Sequence, residues 1–168
     1  RLAFVDADLG YPSLALQDIE KERELELGFN ALPIKRADVH EISLFMKLGH
    51  PLRAKKYCHE LAERVREHTR NTILTPELGS FKTEVTTFHN QVREPYLKLF
   101  DCCVDSDEMD LLVKSIQDLK KLEQEYKIPS GKDRSRNYLS FLARRVKNGE
   151  IKSPDLIEKV NRLTKEGL

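Results

Sequence analysis

Apolar residues recur at three- and four-residue spacing along most of this chain, which is the spacing of one face of an α-helix. The clearest stripe consists of Ala54, Cys58, Leu61 and Val65. Comparable stripes predict seven helices, over residues 14–27, 39–48, 51–68, 76–94, 106–127, 134–148 and 154–166. Pro95 is expected to break or kink the chain, with a short further helix after it. Only the opening apolar run, residues 2–5, is typical of a strand.

Capping residues stand beside several of these stripes. Asp38 is predicted to be an N-cap, with Glu41 three residues later as its capping-box partner, and Asp105 and Glu108 repeat the arrangement. Gly49 is predicted to end a helix, because glycine adopts the left-handed conformation at little cost.

Short connections between predicted helices favour antiparallel neighbours. The sequence therefore predicts an all-α fold of about seven helices, as an antiparallel helical bundle or a short stack of helical hairpins (α-solenoid-like). Residues 48–61 resemble one hairpin of the tetratricopeptide-like solenoids, because a small residue follows the helix-ending glycine five positions later. Two ordinary antiparallel helices explain the same pattern, and we favour that interpretation.

The chain has 168 residues, a length typical of one domain. We expect residues 1–35 to be an N-terminal extension with one acidic helix, and residues 36–168 to be the helical core. The first residue is not Met, so we expect a fragment of a larger protein. The three cysteines do not resemble a secreted disulfide framework, and no apolar run is long enough for a membrane span. These features favour an intracellular location, cytoplasmic or nuclear.

Charge alternates in blocks along the chain although the net charge is only +1. The blocks 1–48, 49–100, 101–128 and 129–168 have net charges of −3, +3, −4 and +5. Such blocks favour electrostatic docking within or between chains.

The strongest functional indication is a basic stretch around the predicted helix 134–148. Tyr138 and Phe141 lie within it, and Asp133 is its only acidic residue. It could bind a protein partner with an acidic or amphipathic segment, the acidic helix 105–127 of the same chain, or the phosphates of nucleic acid. The candidate binding residues are Lys132, Arg134, Arg136, Arg144, Arg145 and Lys147.

No coherent catalytic set is visible. Asp6 and Asp8 could hold a metal ion only at the end of a strand in an α/β fold, which leaves a metal-dependent enzyme as a third and weaker hypothesis. His59 and Glu63 are predicted to form a surface pair one helical turn apart. Cys103 is expected to be buried beside a half-exposed Cys102, in acidic surroundings that disfavour a reactive thiolate.

The pattern as a whole predicts a non-enzymatic protein–protein interaction module, of scaffold or adaptor type, without a cofactor. The alternative is a nucleic-acid-binding helical domain that uses the same basic face.

Overall fold

The computed structural model describes residues 2–26, 32–73, 88–125, 134–151 and 153–165, without the side chains of residues 2, 73, 89, 90 and 134. Within these ranges the regular structure is helical and there is no strand, which confirms the all-α prediction. A π-helical segment, Phe88–Arg93, directly precedes α5. The described α-helices are α1 (Leu2–Asp8), α2 (Pro12–Glu26), α3 (Arg36–Lys47), α4 (Pro51–Ile73), α5 (Glu94–Asp105), α6 (Met109–Glu125), α7 (Arg134–Lys147) and α8 (Pro154–Lys165). Residues 76–87 of the predicted helix 76–94 lie outside the described ranges.

The opening run is helical, so the expectation of a strand at residues 2–5 is wrong. Ala3 of α1 is buried against Ala15 and Ile19 of α2 and against Ala37 and Leu44 of α3. Four apolar residues are too few to distinguish a helical period from a strand period, and here packing against two helices decides the outcome.

Both predicted capping pairs are displaced from the observed helix starts. α3 begins at Arg36, so Asp38 lies in its first turn, where its Oδ2 accepts the Lys35 backbone N–H at 2.8 Å. Asp105 ends α5, and α6 begins only at Met109. A carboxylate in the first turn satisfies unpaired amides much as an N-cap does, and the sequence does not separate the two positions.

The chain divides into two compact units, Arg1–Glu108 (unit 1) and Met109–Leu168 (unit 2). In unit 1, α1 to α4 pack as consecutive neighbours, and α5 packs on α3 and α4. The turn between α3 and α4 has Gly49 at φ +74°, as the sequence predicted. The division that we expected after residue 35 stays a prediction.

Unit 2 is a set of three helices in which α6, α7 and α8 each contact the other two. Its core includes the buried side chains of Ile116, Leu119, Leu142 and Val160. Their burial explains the apolar spacing of all three helices, since each helix turns one stripe inward.

A histidine compensates for the proline that was predicted to disrupt the chain. Pro95 has no N–H to offer the Gln91 carbonyl, its acceptor four residues earlier in an α-helix. His68 Nε2 of α4 lies 3.0 Å from that carbonyl oxygen and is the replacement donor. The π-helical segment ends just before this point, at Arg93.

Candidate interaction face

α7 packs one edge against the other two helices of unit 2 and exposes a basic stripe to solvent. Ser135, Leu139 and Leu142 form the buried edge. Residues three and four positions apart share a helix face, so the exposed positions also line up. That exposed stripe comprises Arg136, Ser140, Arg144 and Lys147.

Beside this stripe, an exposed aromatic ring lies close to two arginines. The side chain of Phe141 is 39% exposed. The guanidinium carbons of Arg144 and Arg145 lie 6.0 and 5.6 Å from its ring centroid, within cation–π range. The Tyr138 ring is 5.9 Å from Phe141, centroid to centroid. We call Tyr138, Phe141, Arg144 and Arg145 the basic–aromatic face.

The two arginines differ in their ionic partners. Arg145 Nε donates to Glu150 Oε2 at 3.2 Å, and Asn148 Nδ2 donates to the other oxygen at 3.1 Å. The hydrogen bonds from Asn148 and Arg145 lower the pKa of Glu150. Within the described part of the chain, no carboxylate lies within ion-pair distance of Arg144. Arg145 is thus held in place, while the Arg144 charge faces solvent.

The structure brings together only part of the predicted basic set. Lys132 lies outside the described residues, and Arg134 begins α7 without a described side chain. Arg136 is exposed but lies about 12 Å along the helix axis from Arg144, at 1.5 Å per residue. Lys147 is exposed in the last turn, close in sequence to the basic–aromatic face.

The start of α7 is occupied by an internal carboxylate. Glu123 of α6 is buried, and its Oε2 accepts from the Ser135 hydroxyl at 2.8 Å and the Ser135 backbone N–H at 3.4 Å. The amides at a helix N-terminus attract carboxylates, and at Ser135 that carboxylate is Glu123. The C-terminal half of α7 is therefore the better site for an external partner.

Unit 1 contains a polar cluster that sequence reasoning missed. Asp38, 1% exposed, accepts the Tyr57 hydroxyl at 2.5 Å, and that hydroxyl accepts from Arg23 at 3.2 Å and Arg64 at 3.3 Å. Burial, followed by the hydrogen bond to Asp38, raises the pKa of Tyr57. These contacts use the donor and both acceptor sites of the Tyr57 hydroxyl. Because Arg23, Asp38 and Tyr57 lie on α2, α3 and α4, the cluster joins these three helices.

A pair of buried thiols is the second feature that was missed. Cys58 of α4 and Cys103 of α5 lie with their sulfur atoms 3.6 Å apart. Cys102 is also fully buried, so the expectation that it would be half-exposed is wrong. The apolar stripe containing Cys58 predicted its burial, but the pairing joins residues 45 positions apart, which no local pattern indicates.

The other sequence candidates do not form sites. Asp6 and Asp8 lie on α1, where residues two positions apart differ by about 200° around the helix axis, so the two carboxylates lie on different faces. Asp8 also pairs with Lys47 at 2.5 Å. His59 contacts Glu108 at 3.0 Å instead of Glu63, which pairs with Arg66. Among the described residues, no group of three or more potential ligands could hold a metal ion. No helix within those ranges is long and apolar enough to cross a membrane.

Comparison with known proteins gives no match to a protein-family model, to a curated protein or to a solved structure.

Proposed function

We propose that this chain is a non-enzymatic, intracellular α-helical interaction module of scaffold or adaptor type. It binds an acidic or amphipathic segment of a partner protein through the basic–aromatic face. The observation on which this rests is the partly exposed Phe141 ring with the guanidinium groups of Arg144 and Arg145 over it.

Such a face combines two kinds of binding energy. Covering the exposed part of Phe141 would remove apolar surface from water, at roughly 25 cal/mol per Å². The planar guanidinium of Arg144 matches a partner carboxylate, which it can bind through two parallel hydrogen bonds. Aromatic and arginine side chains are also enriched among the residues that dominate protein–protein binding energy.

Nucleic acid is the second candidate, because arginine and aromatic groups also bind phosphates and bases. The net charge of +5 over residues 109–168 favours it, whereas that of −4 over residues 1–108 does not. Both arginines stand over the ring that a base would need for stacking. These contacts favour a protein partner.

Labelled single- and double-stranded oligonucleotides, titrated at low and at near-physiological salt, separate the two candidates. We expect no binding at near-physiological salt. Tight binding with a steep salt dependence, lost in Arg144→Glu/Arg145→Glu, would establish the nucleic-acid alternative instead. The matched control is Lys120→Glu/Lys121→Glu, which makes the same charge change on α6 of the same unit.

Affinity capture with the wild-type chain and the same two variants then tests the protein partner. A stoichiometric protein should be retained by the wild type and the α6 control, and lost with Arg144→Glu/Arg145→Glu. The recovered protein should then bind in purified form, with an acidic segment protected on binding. Retention by the α7 variant would refute the assignment of the binding face.

A further inference from the structure

The sulfur atoms of Cys58 and Cys103 lie close enough to react with each other. They are 3.6 Å apart, whereas a disulfide bond is about 2.05 Å long. Closing that gap requires small changes in two side chains already in contact. Both thiols are fully buried between α4 and α5, so no solvent separates them.

We propose that Cys58 and Cys103 are a reversible oxidation site, at which a peroxide converts the two thiols into a disulfide that joins α4 to α5. This inference is independent of the proposed interaction face.

The reaction proceeds in two balanced steps. The Cys58 thiolate attacks a peroxide oxygen, so that an S–O bond forms, the O–O bond breaks, and hydroxide leaves with hydrogen peroxide as oxidant. The Cys103 sulfur then attacks the sulfenic sulfur of Cys58, so that the S–S bond forms and the S–O bond breaks. The thiol proton of Cys103 leaves with the departing oxygen as water. Two thiols lose two electrons in total, and one peroxide gains them.

The contacts assign different roles to the two sulfurs. The hydrogen bond from Cys103 lowers the pKa of the Cys58 thiol, whereas that of Cys103 is raised by the same contact and by burial. The two thiols titrate as a pair, and we assign the first thiolate to Cys58 and the resolving role to Cys103. Burial raises the pKa of Cys102, which disfavours a competing thiolate at the neighbouring position.

Polar contacts join the N-terminal half of α4 to the turn that follows α5, beside the sulfur pair. Glu108 pairs with Lys55 at 3.3 Å and with His59 at 3.0 Å. Ser106 Oγ donates to the Cys102 carbonyl at 2.7 Å. The Glu108 contacts hold the turn after α5 against α4, next to Cys58 and Cys103. Peroxide reaches the buried thiols during local opening, so oxidation should be slower than that of an exposed thiol.

Hydrogen peroxide titration of the full chain, followed by alkylation under denaturing conditions and peptide mapping, tests the proposal. The alkylated cysteines should fall from three to one, with a mass loss of about 2 Da and a Cys58–Cys103 linked peptide. The link closes a span of 45 residues and should raise Tm by roughly 10 °C, reversed by dithiothreitol.

Two matched variants locate the bond. Cys102→Ala should still lose two thiols, whereas Cys103→Ala should form no intramolecular bond. Three remaining thiols, after an incubation many times longer than an exposed model thiol needs to be oxidised, would overturn the proposal. A bond through Cys102 or between two chains would overturn it equally. Mapping of the wild-type chain decides the result even if a variant fails to fold.

Discussion

Arginine has opposite surroundings in the two units. In unit 1, Arg23 of α2 reaches Glu41 and Asp38 of α3 and Tyr57 of α4, so one guanidinium joins three helices. In unit 2, Arg144 faces solvent, and its described ring contact is with Phe141 of its own helix. Arg23 stabilises the arrangement of helices, whereas Arg144 leaves its charge available to a partner.

The comparison shows that local charge density does not separate a charge paired between helices from one that faces solvent. α2 and α7 both have charged residues at helical spacing, and nothing in that spacing separates the two cases. The difference arises from distant residues, because a buried acceptor such as Asp38 recruits nearby cations. A charge paired in this way is costly to unpair, whereas an exposed one is not.

Replacing Asp38 should have the largest effect on stability. Asp38→Ala leaves the Tyr57 hydroxyl without its acceptor and removes the carboxylate that faces Arg23 and Arg64. We expect the free energy of unfolding, measured by urea denaturation, to fall by about 3 kcal/mol.

The control for Asp38 is Asp18→Ala on α2. Asp18 pairs with Lys21 one turn away at 3.6 Å, near the surface. Its loss should cost no more than about 0.5 kcal/mol. Equal effects of the two substitutions would mean that burial does not distinguish the polar cluster from a surface pair.

Glu123 tests whether unit 2 also contains a charge with a structural role. Glu123→Ala removes the buried acceptor of the Ser135 hydroxyl and N–H at the start of α7, and should cost about 2 kcal/mol by urea denaturation. Glu123→Gln keeps an acceptor oxygen and should cost less. If Glu123→Ala leaves the free energy of unfolding unchanged, Glu123 does not stabilise the start of α7.

The helices could be predicted from the sequence because the information for them is local. The stripe through Cys58, Leu61 and Val65 became the buried face of α4, and α7 begins at the predicted residue, Arg134. Helix starts were less well predicted where a carboxylate can serve either as the N-cap or from within the first turn, as at Asp38. The strand predicted at residues 2–5 was wrong, because the conformation of this segment depends on its packing against α2 and α3.

The polar cluster and the thiol pair could not be predicted, because each joins residues from different helices. Tyr57 lies 19 positions from Asp38, and neither residue belongs to a recognisable motif. The basic stretch was visible, but its grouping around Phe141 depends on which face of α7 turns inward. That face is set by contacts with α6 and α8.

Ionisation of Tyr57 should lower the stability of unit 1 at alkaline pH. Its pKa is raised in the folded chain by burial and by the bond to Asp38, whereas the unfolded phenol ionises near pH 10. The folded state then binds more protons above that pH, so stability is full below about pH 10 and falls as pH rises further. Tyr57→Phe should lose some stability at neutral pH and show a shallower fall between about pH 9.5 and 11 in urea denaturation. An unchanged slope would contradict the assigned role of the phenol.

The smallest effect on stability should come from the residues proposed to matter most for binding. Arg144→Ala/Arg145→Ala removes one exposed and one half-buried charge and the contact with Glu150, and should change the free energy of unfolding by no more than about 0.5 kcal/mol. Partner retention should nevertheless be lost, because a binding residue contributes in the complex rather than in the free fold. Circular dichroism of the variant should match that of the wild type. A loss of several kcal/mol would place these arginines in the same class as Arg23, and the contrast between the two units would fail.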